Sequence, residues 1–228
     1  MSIVFIAAKR PLLNKLAGVS LILFALFATV LAGSRDAEAA TGRKPGHVYL
    51  LRGLLNVFSL GMDQLAYKIE AVGITATVHN HTAWSGLADD MIANYRSGKR
   101  EPIILIGHSA GADATISIAR KLQQANVPVA LIANFDPVSP DPVPPNVKQI
   151  VNYYVPAGWG AAVAADARFK GSLANINENG QANHFSIDKS DALHAKTIAL
   201  ILRAVGNGGP RRGPAKPKPA QVSAAPAE

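Results

Sequence analysis

Residues 102–122 read PIILIGHSAGADATISIARKL. Four large aliphatic residues in a row, Ile103 to Ile106, are too few for a helix. They are apolar on both faces, as a strand in the middle of a parallel sheet must be. Gly107 and Gly111 then bracket His108, Ser109 and Ala110, and from Gly111 a helical pattern runs to about Gln124. A strand that turns sharply into a helix at a serine flanked by glycines presents the hydroxyl at the sheet's end. Ser109 is therefore the candidate nucleophile. Gly-x-Ser-x-Gly alone is a common pattern, and the strand–turn–helix setting gives it weight.

Working outward, HVYLLRGLL (47–55) is an apolar, strand-like run. SLGMDQLAYKIEAV (59–72) places Leu60, Leu65, Ile69 and Val72 on a helical period, with Ser59 as its cap and Gly73 as its stop. ITATVH (74–79) reads as a strand, and Trp84 to Tyr95 as a helix ending near Gly98. Downstream come a strand over 127–135, a proline-rich turn, a strand over 147–155 and a final helix over 191–205. This alternation predicts an α/β fold, a doubly wound, mostly parallel sheet with helices on both faces. Residues 156–183 break the alternation and read as a long loop or a small excursion over the strand ends.

On the GHSAG turn and its surroundings, the chain resembles the α/β-hydrolase superfamily over residues 46–205, and within it compact thioesterases and lipase-like esterases. The resemblance implies a compact α/β-hydrolase fold with little or no lid, and Ser109 as nucleophile. The order in that superfamily is nucleophile, acid, histidine. Asp136 closes the strand VPVALIANF and opens DPVSPDPVPP, where the acid is expected; its other reading is a cap on the turn before Pro137. Asp141 reads as a turn residue and Asp166 as the reserve acid. His184 lies between NINENGQAN and the last helix, where the base is expected. His47 and His79 sit at strand edges, His81 in a loop before the nucleophile, and His194 inside the final helix. The His108 side chain should diverge from that of Ser109 and serve local packing.

An acyl-transfer site also needs N–H donors for the oxyanion. The resemblance places one on Ala110 and the other in the loop RGLLN, on Leu54 or alternatively Leu55. Arg52 stands there where lipases usually have histidine. Asn80 to Trp84 either line a substrate pocket or begin a helix with Trp84 as its first core residue. The implied function is a serine hydrolase cleaving a carboxylic ester or thioester through a Ser-His-Asp triad and an acyl-enzyme. The alternative is an inactive binding or cell-envelope protein on the same fold.

The ends differ in composition. Lys9, Arg10 and Lys15 precede the uncharged run Leu16 to Ala32, followed by Ala37-Glu38-Ala39-Ala40. That is the layout of a signal peptide over residues 1–39, or of an uncleaved anchor, and it predicts an exported domain over 40–205. Residues 206–228, rich in Pro, Gly, Lys and Ala, read as a disordered tail. Of the formal charge of +8, the leader holds +2 and the tail +3, so the domain is too weakly basic for a nucleic-acid partner. The expected partner is a small-molecule or lipid acyl substrate, with a membrane only if the leader stays; oligomeric state is open. The chain has no cysteine, no paired metal-ligand spacing and no dinucleotide fingerprint, so no cofactor or metal is expected.

Overall fold

The structure, a computed structural model, describes residues 43–54 and 56–206. The leader over 1–39, the tail beyond Gly206 and Leu55 lie outside these residues, as do the expectations attached to them. From Lys44 onward, six strands form one sheet: β1 (His47–Arg52), β2 (Thr75–Asn80), β3 (Ile103–His108), β4 (Leu131–Phe135), β5 (Gln149–Tyr154) and β6 (Ser172–Asn177). Their order is β2-β1-β3-β4-β5-β6, and all pairings are parallel. Four α-helices accompany them: α1 (Gly61–Ala71), α2 (Trp84–Arg96), α3 (Ala110–Gln124) and α4 (Asp191–Gly206).

The chain runs from β1 outward to β2, then returns to lay β3 against the other side of β1. The two sides of the sheet then acquire separate cores. One joins Leu50, Ile104, Ile106 and Phe135 to Leu65 and Ile69 of α1 and Ile201 of α4. The other joins Leu105 and Ile132 to Met91 of α2 and Ile116, Ile118 and Leu122 of α3. All six residues of β3 are buried, which is why that strand shows no polar alternation. The reversal of direction between β1 and β3 opens a crevice at their carboxyl ends, where sheets of this kind place their ligands.

Three readings of the sequence need correction. The stretch 156–183 contains a sixth parallel strand, β6, in register with β5 from Gln149↔Ser172 to Tyr154↔Asn177. The strand expected over 127–135 begins only at Leu131; before it, Val129 makes a single bridge to Val147. Ser59 does not cap α1. It ends a 3₁₀ turn (Val57–Ser59), is fully buried, and its hydroxyl bonds elsewhere.

Candidate active site

Ser109 follows the last residue of β3 and precedes the first of α3. Its N–H still extends the sheet, donating to Phe135 O at 3.0 Å, while its carbonyl already accepts from Ala112 and Asp113 of the helix. Making both bonds across one residue forces φ to 57° and ψ to −128°, a region that non-glycine residues rarely enter. The turn also needs its glycines. A Cβ on Gly107 would collide with the Gly111 backbone, and one on Gly111 with the Leu51 carbonyl.

Asp136 repeats the pattern one strand over. Its N–H donates to Tyr153 O at 2.7 Å, and the backbone then turns with φ at 54°. The carboxylate is fully buried, and no cation is paired with it among the described residues. Its Oδ1 accepts from the Val155 N–H at 2.6 Å and its Oδ2 from His184 Nδ1 at 2.7 Å. Gly160 lies against the same carboxylate, where a Cβ would overlap Oδ1.

His184 completes the line: its Nε2 lies 3.0 Å from Ser109 Oγ. With Nδ1–H donating to Asp136, Nε2 is left as the acceptor of the serine hydroxyl proton. Ser109, Asp136 and His184 are thus brought together from 75 and 48 residues apart along the chain. Ala110 is the first residue of α3, so its N–H is one of the first-turn donors that a helix leaves without an internal partner. The Leu54 N–H has no hydrogen-bond partner among the described residues, whereas Gly53 N–H is taken by Ser59 Oγ at 2.9 Å. Arg52, where a histidine is usual, makes a two-pronged ion pair with Asp63 in the first turn of α1, tying the loop after β1 to that helix.

The remaining candidates fall away from this centre. Asp141 is exposed near Arg120, and Asp166 pairs with its neighbour Arg168. His47 and His79 both bond Thr77 Oγ1, and His81 opens a 3₁₀ turn. His194 is buried on α4, bonded to Asp188 O and near Lys68 Nζ. Trp84 packs against the second core, so the Asn80–Trp84 stretch is a helix start and does not line the cavity over Ser109.

A cavity of about 440 Å³ opens over Ser109, and its apolar walls are Leu54, Phe58, Val138, Trp159 and Phe185. Reading the sequence missed four of these five. Trp159 stands edge-on to His184, with ring centres 4.9 Å apart, and both Trp159 and Phe58 contact the Phe185 ring. The signal for Trp159 was the Gly-Trp-Gly triplet at 158–160. Asp113 enters the same cavity, where burial pushes its carboxyl upward from the ordinary value. That group accepts the N–H bonds of Val138 and Ser139 and so anchors the loop carrying Val138.

No family model and no curated protein matches the chain. Among solved structures it is similar to human thioesterase 2, with a TM-score of 0.50 at 10% identity over 74% of this chain and 100% of that one. It is also similar to a hydrolase of the alpha/beta superfamily from Xanthomonas campestris pv. campestris, at 17% identity over 71% and 99% of the two chains, TM-score 0.41. A third likeness is to Est1E from Butyrivibrio proteoclasticus, at 10% identity over 72% and 90%, TM-score 0.47. At such identities the likeness is one of fold.

Proposed function

Given an α/β-hydrolase fold, we propose that this chain is an exported serine hydrolase that cleaves an ester or thioester of an apolar carboxylic acid. The observation that carries the reading is the Ser109–His184–Asp136 line, at 3.0 and 2.7 Å, ending on a serine held in a strained turn. His184 Nε2 takes the hydroxyl proton as Ser109 Oγ attacks the carbonyl. Asp136 keeps the Nδ1–H tautomer and stabilises the imidazolium. The N–H groups of Ala110 and Leu54 receive the oxyanion, and each such donor is worth about 3–4 kcal/mol in the transition state. The protonated His184 returns its proton to the leaving alcohol or thiol, leaving the acyl group on Ser109. Water, deprotonated by His184, then releases the acid and restores the serine.

The apolar walls around Ser109 suit the acyl side of such a substrate, and a cavity of about 440 Å³ accommodates a chain rather than a single methyl. Export rests on the basic and apolar leader followed by Ala37-Glu38-Ala39-Ala40. It favours esters and lipids over coenzyme A thioesters, which are cytoplasmic. A fluorophosphonate probe tests the reading, followed by p-nitrophenyl esters from acetate to palmitate. Labelling of wild type but not of Ser109→Ala, with ester hydrolysis that follows the label, is expected. Wild-type protein that takes no label and turns over no ester would sink it.

A further inference from the structure

The loop from Leu54 to Leu60 carries the Leu54 N–H, and most of its described apolar side chains are exposed. Among the described residues Leu54, Val57, Phe58 and Leu60 are 47–65% exposed, Asn56 is half-buried and Ser59 is buried. Polar contacts help to fix this loop, and one set of them forms a continuous chain. Gly53 N–H donates to Ser59 Oγ at 2.9 Å. Ser59 Oγ lies 2.8 Å from His108 Nδ1, and His108 Nε2 lies 2.8 Å from the carbonyl oxygen of His184. A carbonyl only accepts, so Nε2 carries the proton and Nδ1 accepts from the serine hydroxyl. Every donor and acceptor in the chain is used once, and Ser59 and His108 are both about 1% exposed.

We propose that His108 is a positioning residue that fixes the oxyanion loop and the His184 loop relative to each other through this neutral chain. His108 lies in the lining of the cavity over Ser109, but both its ring nitrogens are engaged, one by Ser59 Oγ and the other by the His184 carbonyl. Because Ser59 consumes the Gly53 N–H, that group is withdrawn from the site, whereas the Leu54 N–H has no partner among the described residues. At the other end, the bond to His184 O holds the base's own peptide while its ring serves Ser109 and Asp136. A second tie runs alongside: Lys189 Nζ donates to the carbonyls of both Phe58 and Phe185, and Asp188 accepts from Gly61 N–H. Burial lowers the proton affinity of His108, which keeps the chain in its neutral form.

The inference rests on the acyl-transfer reading of Ser109, and the test separates the two. Three variants cut the chain at different links. Ser59→Ala removes the hydroxyl; His108→Asn can still accept from Ser59 but cannot reach His184 O; His108→Gln keeps a donor for His184 O but changes the Ser59 contact. Active sites are titrated with the fluorophosphonate, and kcat and KM for p-nitrophenyl butyrate are taken per titrated site. Each variant is expected to lose about tenfold or more in kcat with KM within about threefold, since the oxyanion contact strengthens only in the transition state. His108→Asn should also shift the acid limb of the kcat/KM profile, because it frees the His184 peptide. A lower melting temperature with kcat per site within twofold of wild type for all three variants would overturn the proposal. Should a His108 variant fail to fold, ring NMR of the wild type decides the link: a neutral Nε2–H histidine at pH 6 supports it, and an Nδ1–H or charged ring overturns it. Wild-type protein without label sinks the acyl-transfer reading and this one together, whereas labelled wild type with unaffected variants sinks this one alone.

Discussion

Between Lys44 and Phe135 each strand is joined to the next through a helix packed on the sheet. Between Asp136 and Ser190, among the described residues, there is no α-helix at all. The first region is held by apolar contact: α1 and α3 bury Leu65, Ile69, Ile116, Ile118 and Leu122 against the strands. The second is stitched by amide side chains. Asn152 donates to Ala161 O and Asn175 Oδ1, and Asn175 in turn exchanges bonds with both backbone groups of Val163. Ser109, the proposed nucleophile, belongs to the first region, His184, the proposed base, to the second, and Asp136 sits at the boundary. Apolar packing positions Ser109, and directed polar bonds dominate the region that carries His184.

That contrast can be broken by experiment. The largest effect should come from the centre where the regions meet. Ser109→Ala and His184→Ala should each lower kcat roughly 10⁴- to 10⁶-fold, and the double variant should be little worse, since both residues serve one proton-coupled step. Additive losses in ester hydrolysis would show that the two act separately. Asp136→Asn should cost about 10⁴-fold by allowing the wrong imidazole tautomer, while Asp141→Asn and Asp166→Asn stay near wild type. An inactive Asp166→Asn enzyme would move the acid elsewhere.

Gly160→Ala then asks whether the second region acts on geometry more than on stability. Its methyl would overlap the Asp136 carboxylate, so kcat should fall about 100-fold for a displacement near 1 Å. Ile106→Ala, in the packed region, should instead cost about 2–5 kcal/mol in urea unfolding with kcat near wild type in the folded fraction. If the two variants exchange phenotypes, the division of labour fails. The smallest effect is on pH. Burial lowers the proton affinity of His47, His79, His108 and His194 below the ordinary value of 6.5. As pH falls through 6.5 the unfolded chain gains protons first, so stability is full above that value and declines below it. Melting temperature should drop by a few degrees, on the order of 2–8 °C, from pH 7.5 to 5.5. A flat profile over that range would contradict it.

The packed region was legible in the sequence because its physics is periodic. Ile103 to Ile106 could only be an interior strand, and Leu65 and Ile69 only the inner face of a helix. Asp136 was legible because it follows an apolar run directly, and His184 because a polar loop and then a helix flank it. The stitched region has no such period. In β6, SLANIN, the exposed residues are Ser172, Asn175 and Asn177 and the half-buried ones Leu173, Ala174 and Ile176, a spacing that is neither a strict alternation nor a continuous apolar run. The inward turn of Ser59 was hidden for another reason: its partner His108 is 49 residues away, and the local pattern favoured a helix cap. Trp159 came to the pocket through a loop tied down by Asn152 at Ala161, and Phe185 through one tied by Asn183 and Lys189; these are side-chain ties, which leave no periodic mark in the sequence.

The polarity that concealed β6 bears on how copies of this chain meet one another. β6 ends the sheet, and on its outer side no described strand pairs with it. Such a margin is a template for another chain's backbone, and long apolar edges invite aggregation. Here Ser172, Asn175 and Asn177 are exposed along the strand, Glu178 follows it, and Gly180 breaks the extended path soon after. A strand that is short and amide-rich, and closed off by a charge and a turn, makes a poor seed for sheet-to-sheet stacking. The residues that make it hard to recognise as a strand are the same ones that leave little apolar surface along this open margin.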